Sequence, residues 1–333
     1  MDEIQFNNNS FSFLRYLAAF QVLYGHIITH LQIHNYLPFL KFFSGVPIFF
    51  CLSGFLIANS LNKDNQKSSK YFKARFLRIY PELWIAVVLT ALILFITNPI
   101  LIKNLYFWLF NITQATFFQF WTPQALSYYG VGTPNGSLWT ITIFVQFYIL
   151  IFFLFPYIKK LNMKQHILIL ILSVIPCVSF VFIEPYIPTI IFKLFKQTII
   201  PYWFMFYIGI VIYLFKDLLI PLLCKRFYMI FIIFILYCYF GNNIPSIYMD
   251  PIRLILLCLL TISFGYRFNT LKIKHDISFG IYLFHMIVIN IFVENNILMH
   301  SFFGIIIVLL LSICLAILSN KLSSRIVHKI RII

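Results

Sequence analysis

Ten apolar runs, each near the length of a membrane-crossing helix, alternate with short polar connections along the chain. A helix rises about 1.5 Å per residue and needs about 20 apolar residues to cross the hydrocarbon of a bilayer. By that measure the runs fall at 12–31, 42–61, 80–97, 138–157, 164–183, 197–215, 227–241, 252–266, 277–297 and 302–319. The pattern predicts an all-α, polytopic integral membrane helical bundle of about ten transmembrane helices. The longest connection is 98–137. Its WLFNITQATFFQFWTP is apolar but short and rich in Asn, Gln and Thr, which suits a re-entrant or interfacial segment. The turn-rich NGS that follows, leading into LWTITIFVQFYIL, reads as a lip over an outward-facing site.

Composition supports a membrane chain: 62% hydrophobic, 20% aromatic and 10% charged over 333 residues. No soluble domain of that length hides so much apolar surface. The net charge of +16 would suit a nucleic-acid partner, but its placement argues for no nucleic acid. Nineteen Lys and Arg fall in 63–78, 159–164, 216–226, 267–274 and 321–331. The opposite connections hold five: Lys41, Lys103, Lys193, Lys196 and Arg253. This is the positive-inside pattern, so both termini are expected in the cytoplasm and the lipid bilayer is the first partner. The N-terminal MDEIQFNNNS lacks a basic region and a cleavage site, so the first span is expected to be retained. The six cysteines are scattered without a CxxC pair and read as small packing residues.

Against this background the ionisable residues inside apolar runs stand out, since each is costly there and is by default a functional hypothesis. Arg15 and His26 are eleven residues apart, about 16 Å along a helix and near one face, because three turns take about 10.8 residues. Arg15 also fits a snorkelling topology anchor, and His26 a hydrogen-bonded core histidine. His26, His30 and His34 share a face, but with no carboxylate or cysteine beside them no metal is expected. The second run, SGVPIFFCLSGFLIANS, is interrupted by Gly45, Pro47, Ser53 and Gly54, as either close packing or a cavity wall would require. Next comes KSSKYFKARFLRIYP, with Lys73, Arg75 and Arg78. On a short helix Arg75 and Arg78 present two guanidinium forks on one side, a geometry suited to phosphate. A lipid-headgroup anchor fits the same residues. Pro81 is expected to open the third span. In HDISFGIYLFHMIVIN, Asp276 or Ser278 can cap a helix, and Tyr282 and His285 share a face, where a structural histidine is the competing reading.

Taken in order, FLRYLAAFQVLYGHI, GVPIFFCLSGFLI, KARFLRIYP, NGSLWT, PYWFMFYIG and DISFGIYLFH resemble the membrane acyltransferase-3 family, the integral O-acyltransferases that decorate bacterial surface glycans. The resemblance covers nearly the whole chain. It implies a single membrane acyltransferase domain over 1–333, with its bundle at about 11–320 and no fused periplasmic domain, in a bacterial cytoplasmic membrane. It also implies an acyl-CoA co-substrate, commonly acetyl-CoA, and a carbohydrate hydroxyl as acceptor. By position His26 matches the family's essential histidine and Arg15 its companion. Arg75 and Arg78 match the basic pair assigned to the CoA phosphates, with Lys73 and Ser53 beside them on the donor side. Asn135, Trp139, Gln146, Tyr282 and His285 fall to the acceptor side or to support. Two departures stand out. The family's Glu after SLW is replaced by Phe144 and Val145, with Gln146 the nearest polar group, and an acidic-plus-Pro signature near the last span is absent from SNKLSSRIVHKI.

A thioester donor is already activated, so the missing element is a base for the hydroxyl. Histidine supplies one near neutral pH, and His26 is the candidate. Arg15 is the second catalytic candidate, to hold the thioester carbonyl or CoA or to stabilise the oxyanion. Direct transfer and a transient acyl-histidine both fit. The alternatives are a flippase or exporter of a lipid-linked glycan, its charges lining a pathway, and acylation of a small secreted metabolite.

Overall fold

The computed structural model describes residues 8–63, 67–241 and 250–332. Among these residues there are thirteen α-helices and no strand. In chain order they are α1 (Phe11–His30), α2 (Gly45–Asn62), α3 (Ser68–Thr97), α4 (Leu105–Ala115), α5 (Trp139–Ile158), α6 (Met163–Ile183) and α7 (Thr189–Phe195). Then follow α8 (Trp203–Leu214), α9 (Lys216–Lys225), α10 (Phe227–Phe240), α11 (Pro251–Arg267), α12 (Ser278–Glu294) and α13 (Phe302–Ile332). Every one of the ten expected runs falls on a helix. Among the described residues five segments are long and apolar enough to cross a membrane: α1, α2, α3, the segment that ends as α5, and α13. Two bent pairs, α7 with α8 at 52° and α9 with α10 at 69°, bring the number to seven if each is one span. The chain is an all-α, multi-pass membrane protein. Residues 1–7, on which the retained first span was partly read, lie outside the described residues.

Two boundaries differ from expectation. The basic stretch before Pro81 is not a separate short helix: it is the N-terminal part of α3, and Pro81 lies inside that helix. Pro81 removes the bond to the Leu77 carbonyl, but Tyr71, Leu77 and Ile79 on the same segment are buried, and packing of that kind outweighs one lost hydrogen bond. The last helix does not stop near 319 but continues to Ile332, with Ser319 and Ser323 buried.

The described helices divide into two compact units. The first takes Met1–Ala18, Phe42–Gln66 and Gln146–His275. Its core is the crossing of α2 and α8, which depends on two glycines. A Cβ on Gly54 would lie 1.9 Å from the Phe206 carbonyl oxygen, and one on Gly209 would lie 2.1 Å from that of Cys51. Small residues at such a contact let two backbones touch, and that contact supplies dispersion where no hydrophobic drive exists. Around it Phe147 stacks on Phe206 at 4.3 Å, and His166 Nδ1 lies 2.7 Å from the Tyr207 hydroxyl. In the same unit Ser263 Oγ donates to the Leu223 carbonyl at 3.1 Å, and Ser10 N donates to that of Gly265 at 2.8 Å.

The second unit takes Ala19–Lys41, Lys67–Val145 and Asp276–Ile333. Here α12 and α13 pack together and α3 lies against both. Gly280 permits the approach, since a Cβ there would meet Glu82 Oε1 at 2.6 Å and Ala316 at 2.9 Å. The 98–137 connection does not cross. At 11 residues, α4 is about half the length a span needs. Leu94, Leu101, Phe107, Phe110, Leu126 and Tyr129 form a small core of their own. Trp84 Nε1 donates to the Ala115 carbonyl at 2.9 Å, and Thr142 Oγ1 lies 2.9 Å from both the Phe117 carbonyl and Gln119 Oε1.

The α2–α8 crossing yields a direct test. Gly54→Ala and Gly209→Ala each force overpacking against backbone, at a cost of about 1–3 kcal/mol, and should lower the midpoint of thermal denaturation in detergent. Gly25→Ala, at a position with nothing within 4 Å, should leave the midpoint unchanged or slightly raised.

Candidate functional site

The best-partnered polar groups of the second unit gather on α12. Asp276 stands just before its start, one residue ahead of the N-cap position Ile277, and accepts from Ser278 N at 3.1 Å and Ser278 Oγ at 2.5 Å. From there SFGIYLFHMIVINIFVE is buried over most of its length. A polar group so placed must find a protein partner, because lipid offers none.

His285, on α12, finds two. Its Nδ1 lies 3.2 Å from the Ile281 carbonyl oxygen, and its Nε2 lies 2.8 Å from His26 Nδ1 on α1. The two rings stack with centroids 5.0 Å apart. A carbonyl can only accept, so the proton of His285 sits on Nδ1 and its Nε2 carries a lone pair. That lone pair accepts from His26 Nδ1–H, which in turn leaves His26 Nε2 unprotonated. The backbone thereby fixes both tautomers, and the free lone pair of the pair is on His26. His285 is buried and His26 half-buried, so the open nitrogen belongs to the more accessible ring. His30 follows at a centroid distance of 5.7 Å from His26. His34 lies beyond the end of α1 and is exposed. Among the described residues no three His, Cys, Asp or Glu side chains are grouped as a metal site requires.

The GVGTPNGSLW segment is latched along α12 on both sides of His285. Asn290, fully buried, accepts from Val131 N at 2.8 Å and donates to the Thr133 and Pro134 carbonyls at 3.0 and 2.8 Å. Glu294 Oε2 accepts from Gly130 N at 2.8 Å. Burial, with the Glu294 carboxylate beside it, pushes the Tyr129 phenol up to about 12, so it stays protonated at any ordinary pH. Gly130 is held at φ +58, and a Cβ there would meet Asn290 Oδ1 at 2.1 Å. Only glycine fits. Asn135 Nδ2 donates to the Leu283 carbonyl at 3.0 Å. Ser137 Oγ sits 2.8 Å from Asn135 Oδ1 and 3.1 Å from the Tyr282 carbonyl. The Tyr282 hydroxyl donates to the Ser137 carbonyl at 2.7 Å and so accepts from Thr140 Oγ1 at 2.9 Å.

Of the residues singled out in the sequence, His26, His285, Tyr282, Asn135 and the half-buried Trp139 lie in the second unit, as do Lys73, Arg75 and Arg78 on α3. Lys73 and Arg78 are exposed, whereas Arg75 is half-buried with its guanidinium 5.4 Å from the Tyr71 ring centroid. Arg15, Ser53 and Gln146 fall in the first unit. Arg15 is on the same helix as His26. Ser53 Oγ lies 3.5 Å from the Tyr148 hydroxyl. Gln146 is occupied in holding the 197–199 segment, donating to the Gln197 carbonyl at 2.7 Å and accepting from Ile199 N at 3.2 Å.

A sequence model of the acyltransferase-3 family, described as an acyltransferase domain, matches residues 8–320. The chain belongs to the acyltransferase-3 family. Among curated proteins, this acyltransferase-3 chain is 32% identical over 158 residues to Nodulation protein 10 of Rhizobium leguminosarum bv. viciae, an alignment covering 43% of each. It is 29% identical over 120 residues to Peptidoglycan O-acetyltransferase OatA of Listeria monocytogenes, covering 32% of this chain and 19% of that protein. The matched part is therefore under half the length of either relative. No solved structure matches.

Several anchors of the acyltransferase-3 chain were not picked out from its sequence. Asn290 and Glu294 were legible only as polar residues five and nine positions beyond His285 on the same helix. His300 bonds the end of α1 through its N to the Leu31 carbonyl at 2.9 Å and through Nδ1 to the Gln32 carbonyl at 3.1 Å. Glu82 is buried and accepts from Ser319 Oγ at 2.7 Å.

The latch can be tested without any assay of function. Asn290→Ala strips partners from one backbone N–H and two carbonyls, each worth about 1–3 kcal/mol when buried and unsatisfied. It should lower the denaturation midpoint and speed proteolytic cleavage within 127–137, and Gly130→Ala should do the same. Unchanged cleavage in both variants rules the latch out.

Proposed function

We propose that this chain is a membrane O-acyltransferase that moves an acyl group, acetyl in the simplest case, from acyl-CoA to a hydroxyl of a cell-surface carbohydrate. The observation that carries the reading is the fixed tautomer of the His26–His285 pair, which leaves a lone pair on His26 Nε2. Membership of the acyltransferase-3 family supports the reaction class. The printed name of the Listeria relative, a peptidoglycan O-acetyltransferase, supports an acetyl group and a glycan acceptor. The charge distribution supports a bacterial cytoplasmic membrane with Arg75 and Arg78 on the side where acyl-CoA is found.

The chemistry follows from the base. The acceptor hydroxyl oxygen attacks the thioester carbonyl carbon while His26 Nε2 takes its proton. The tetrahedral intermediate collapses, the C–S bond breaks, and the departing sulfur takes that proton back from Nε2. The products are an ester and a free thiol. Throughout, His285 Nε2 keeps accepting from His26 Nδ1–H and so holds the ring in place. His285 is a positioning residue. Arg75 and Arg78 with Lys73 are assigned to the donor's phosphates. Asn135, Tyr282 and Trp139 support the acceptor side, and Gln146 supports the fold.

The test is acylation of the host's surface glycan, followed by O-acetyl signals in NMR, with membrane levels matched by blot. His26→Ala should abolish the signals, since general base catalysis is worth roughly 10²–10⁴-fold. With purified enzyme His285→Leu should lower kcat by about 10- to 100-fold, by analogy with the partners that orient a metal-bound imidazole, with KM for acyl-CoA unchanged. His285→Gln, whose amide oxygen can still accept from His26, should recover part of the loss. Full acylation by His26→Ala would sink the mechanism. A glycan that is never acylated but declines at the surface on deletion would favour the transporter.

A further inference from the structure

A cavity of about 610 Å³ in the first unit holds none of the residues assigned a role above. α8 gives it a floor over 204–212 and α6 a wall over 170–179, while Leu219 of α9 and Ile255 and Leu259 of α11 complete it. Among the described residues Ser179 is its single polar side chain. The wall residues Ile171 and Ile175 are 58% and 52% exposed, so the cavity is a groove open along α6. The stretch from 170 to 179 is about 14 Å long by helix rise.

The groove has firm sides. α8 is held on another face by the Gly209 contact with α2, and α6 is tied to α8 by His166 Nδ1, 2.7 Å from the Tyr207 hydroxyl. The His166 ring also meets that of Phe215 edge-on, with centroids 5.4 Å apart. The start of α6 and the end of α8 therefore lie together, at one end of the groove.

That end is basic. Lys164 is two positions before His166, and Lys216 directly follows Phe215. Periodicity puts both on the faces that line the groove: Lys164 is two turns before Ile171, and Lys216 one turn before Leu219. Lys164 is exposed, and the Lys216 ammonium is 5.4 Å from the Tyr213 ring centroid. The connections at this end, 159–164 and 216–226, carry six Lys and Arg against one acid, Asp217. An occupant must therefore join a long apolar chain to a head of net negative charge. The leaflet that the positive-inside pattern makes cytoplasmic supplies such a molecule, and its anionic lipids are what basic residues at a membrane surface attract. A zwitterionic lipid brings an amine that the same lysines repel.

We propose that this groove holds one acyl chain of an anionic phospholipid, with the lipid phosphate at Lys164 and Lys216. The site is independent of the acyl-transfer reading.

The full chain is purified in mild detergent and titrated with phosphatidylglycerol or phosphatidylcholine, and retained lipid is read by native mass spectrometry beside the denaturation midpoint. Phosphatidylglycerol should be retained more strongly and should raise the midpoint, as a ligand of the folded state does. Lys164→Gln and Lys216→Gln should each weaken phosphatidylglycerol about fivefold relative to phosphatidylcholine, the worth of one lysine beside anionic lipid. That ratio within one variant is not imitated by misfolding. Ile171→Trp fills the groove from its open wall and should lose both lipids, with the lipid-free midpoint unchanged. Leu168→Trp, exposed on the same helix but outside the groove, should keep both. Equal retention of the two lipids by the wild type, or an unchanged ratio in both lysine variants, overturns the proposal. Equal retention by Ile171→Trp and Leu168→Trp puts the lipid elsewhere and overturns it as well. So does preferential retention of a fatty acid or a polyprenyl phosphate, which gives the groove a different occupant.

Discussion

A polar side chain within hydrocarbon has no water to turn to, so leaving it without a protein partner is costly. The second unit is organised by that constraint. Along α12, Asp276 bonds Ser278, Tyr282 bonds Ser137 and Thr140, His285 bonds Ile281 and His26, and Asn290 bonds three backbone groups of one loop. Each bond stabilises modestly on its own. Leaving any of these groups unmade is what costs, and that asymmetry gives the helix a single register against its neighbours. The precision of the histidine pair is a consequence of the same economy of partners.

The first unit meets the constraint differently. Its tightest contact relies on Gly54 and Gly209 to let α2 and α8 touch backbone to backbone. There the binding force is dispersion at short range, which any Cβ would interrupt. Gly54 was visible as an interruption of an aromatic run, but whether it packed or lined a cavity depended on the partner helix. A helix more than 140 residues away along the chain is not legible from one segment.

That limit explains most of what the sequence withheld. Apolar length located the helices, since it is a local property, and all ten runs fell on one. His26 and His285 were each conspicuous as ionisable residues in apolar segments, yet their bond joins positions 259 residues apart. Glu82 was overlooked for a local reason. Pro81 read as a span opening, which placed the carboxylate in a first turn near water, whereas the helix begins at Ser68 and carries Glu82 into its buried interior. Ser319 was likewise taken as the end of a span, when it is where α13 bonds α3.

The way the histidine relay ends bears on the proposed reaction. In many hydrolytic sites a carboxylate stands behind the imidazole, orienting it and offsetting the charge it acquires. Here the relay ends on the Ile281 carbonyl, a dipole without net charge. Such an ending can fix the tautomer as firmly as a carboxylate, and it spares the resting protein a buried charge that a membrane interior strongly disfavours. It offers less to a protonated imidazole. A thioester donor suits this arrangement, because its sulfur leaves readily and can take the proton back as the C–S bond breaks. The base then needs to hold a proton only for the lifetime of the tetrahedral intermediate, and a neutral relay is sufficient for that.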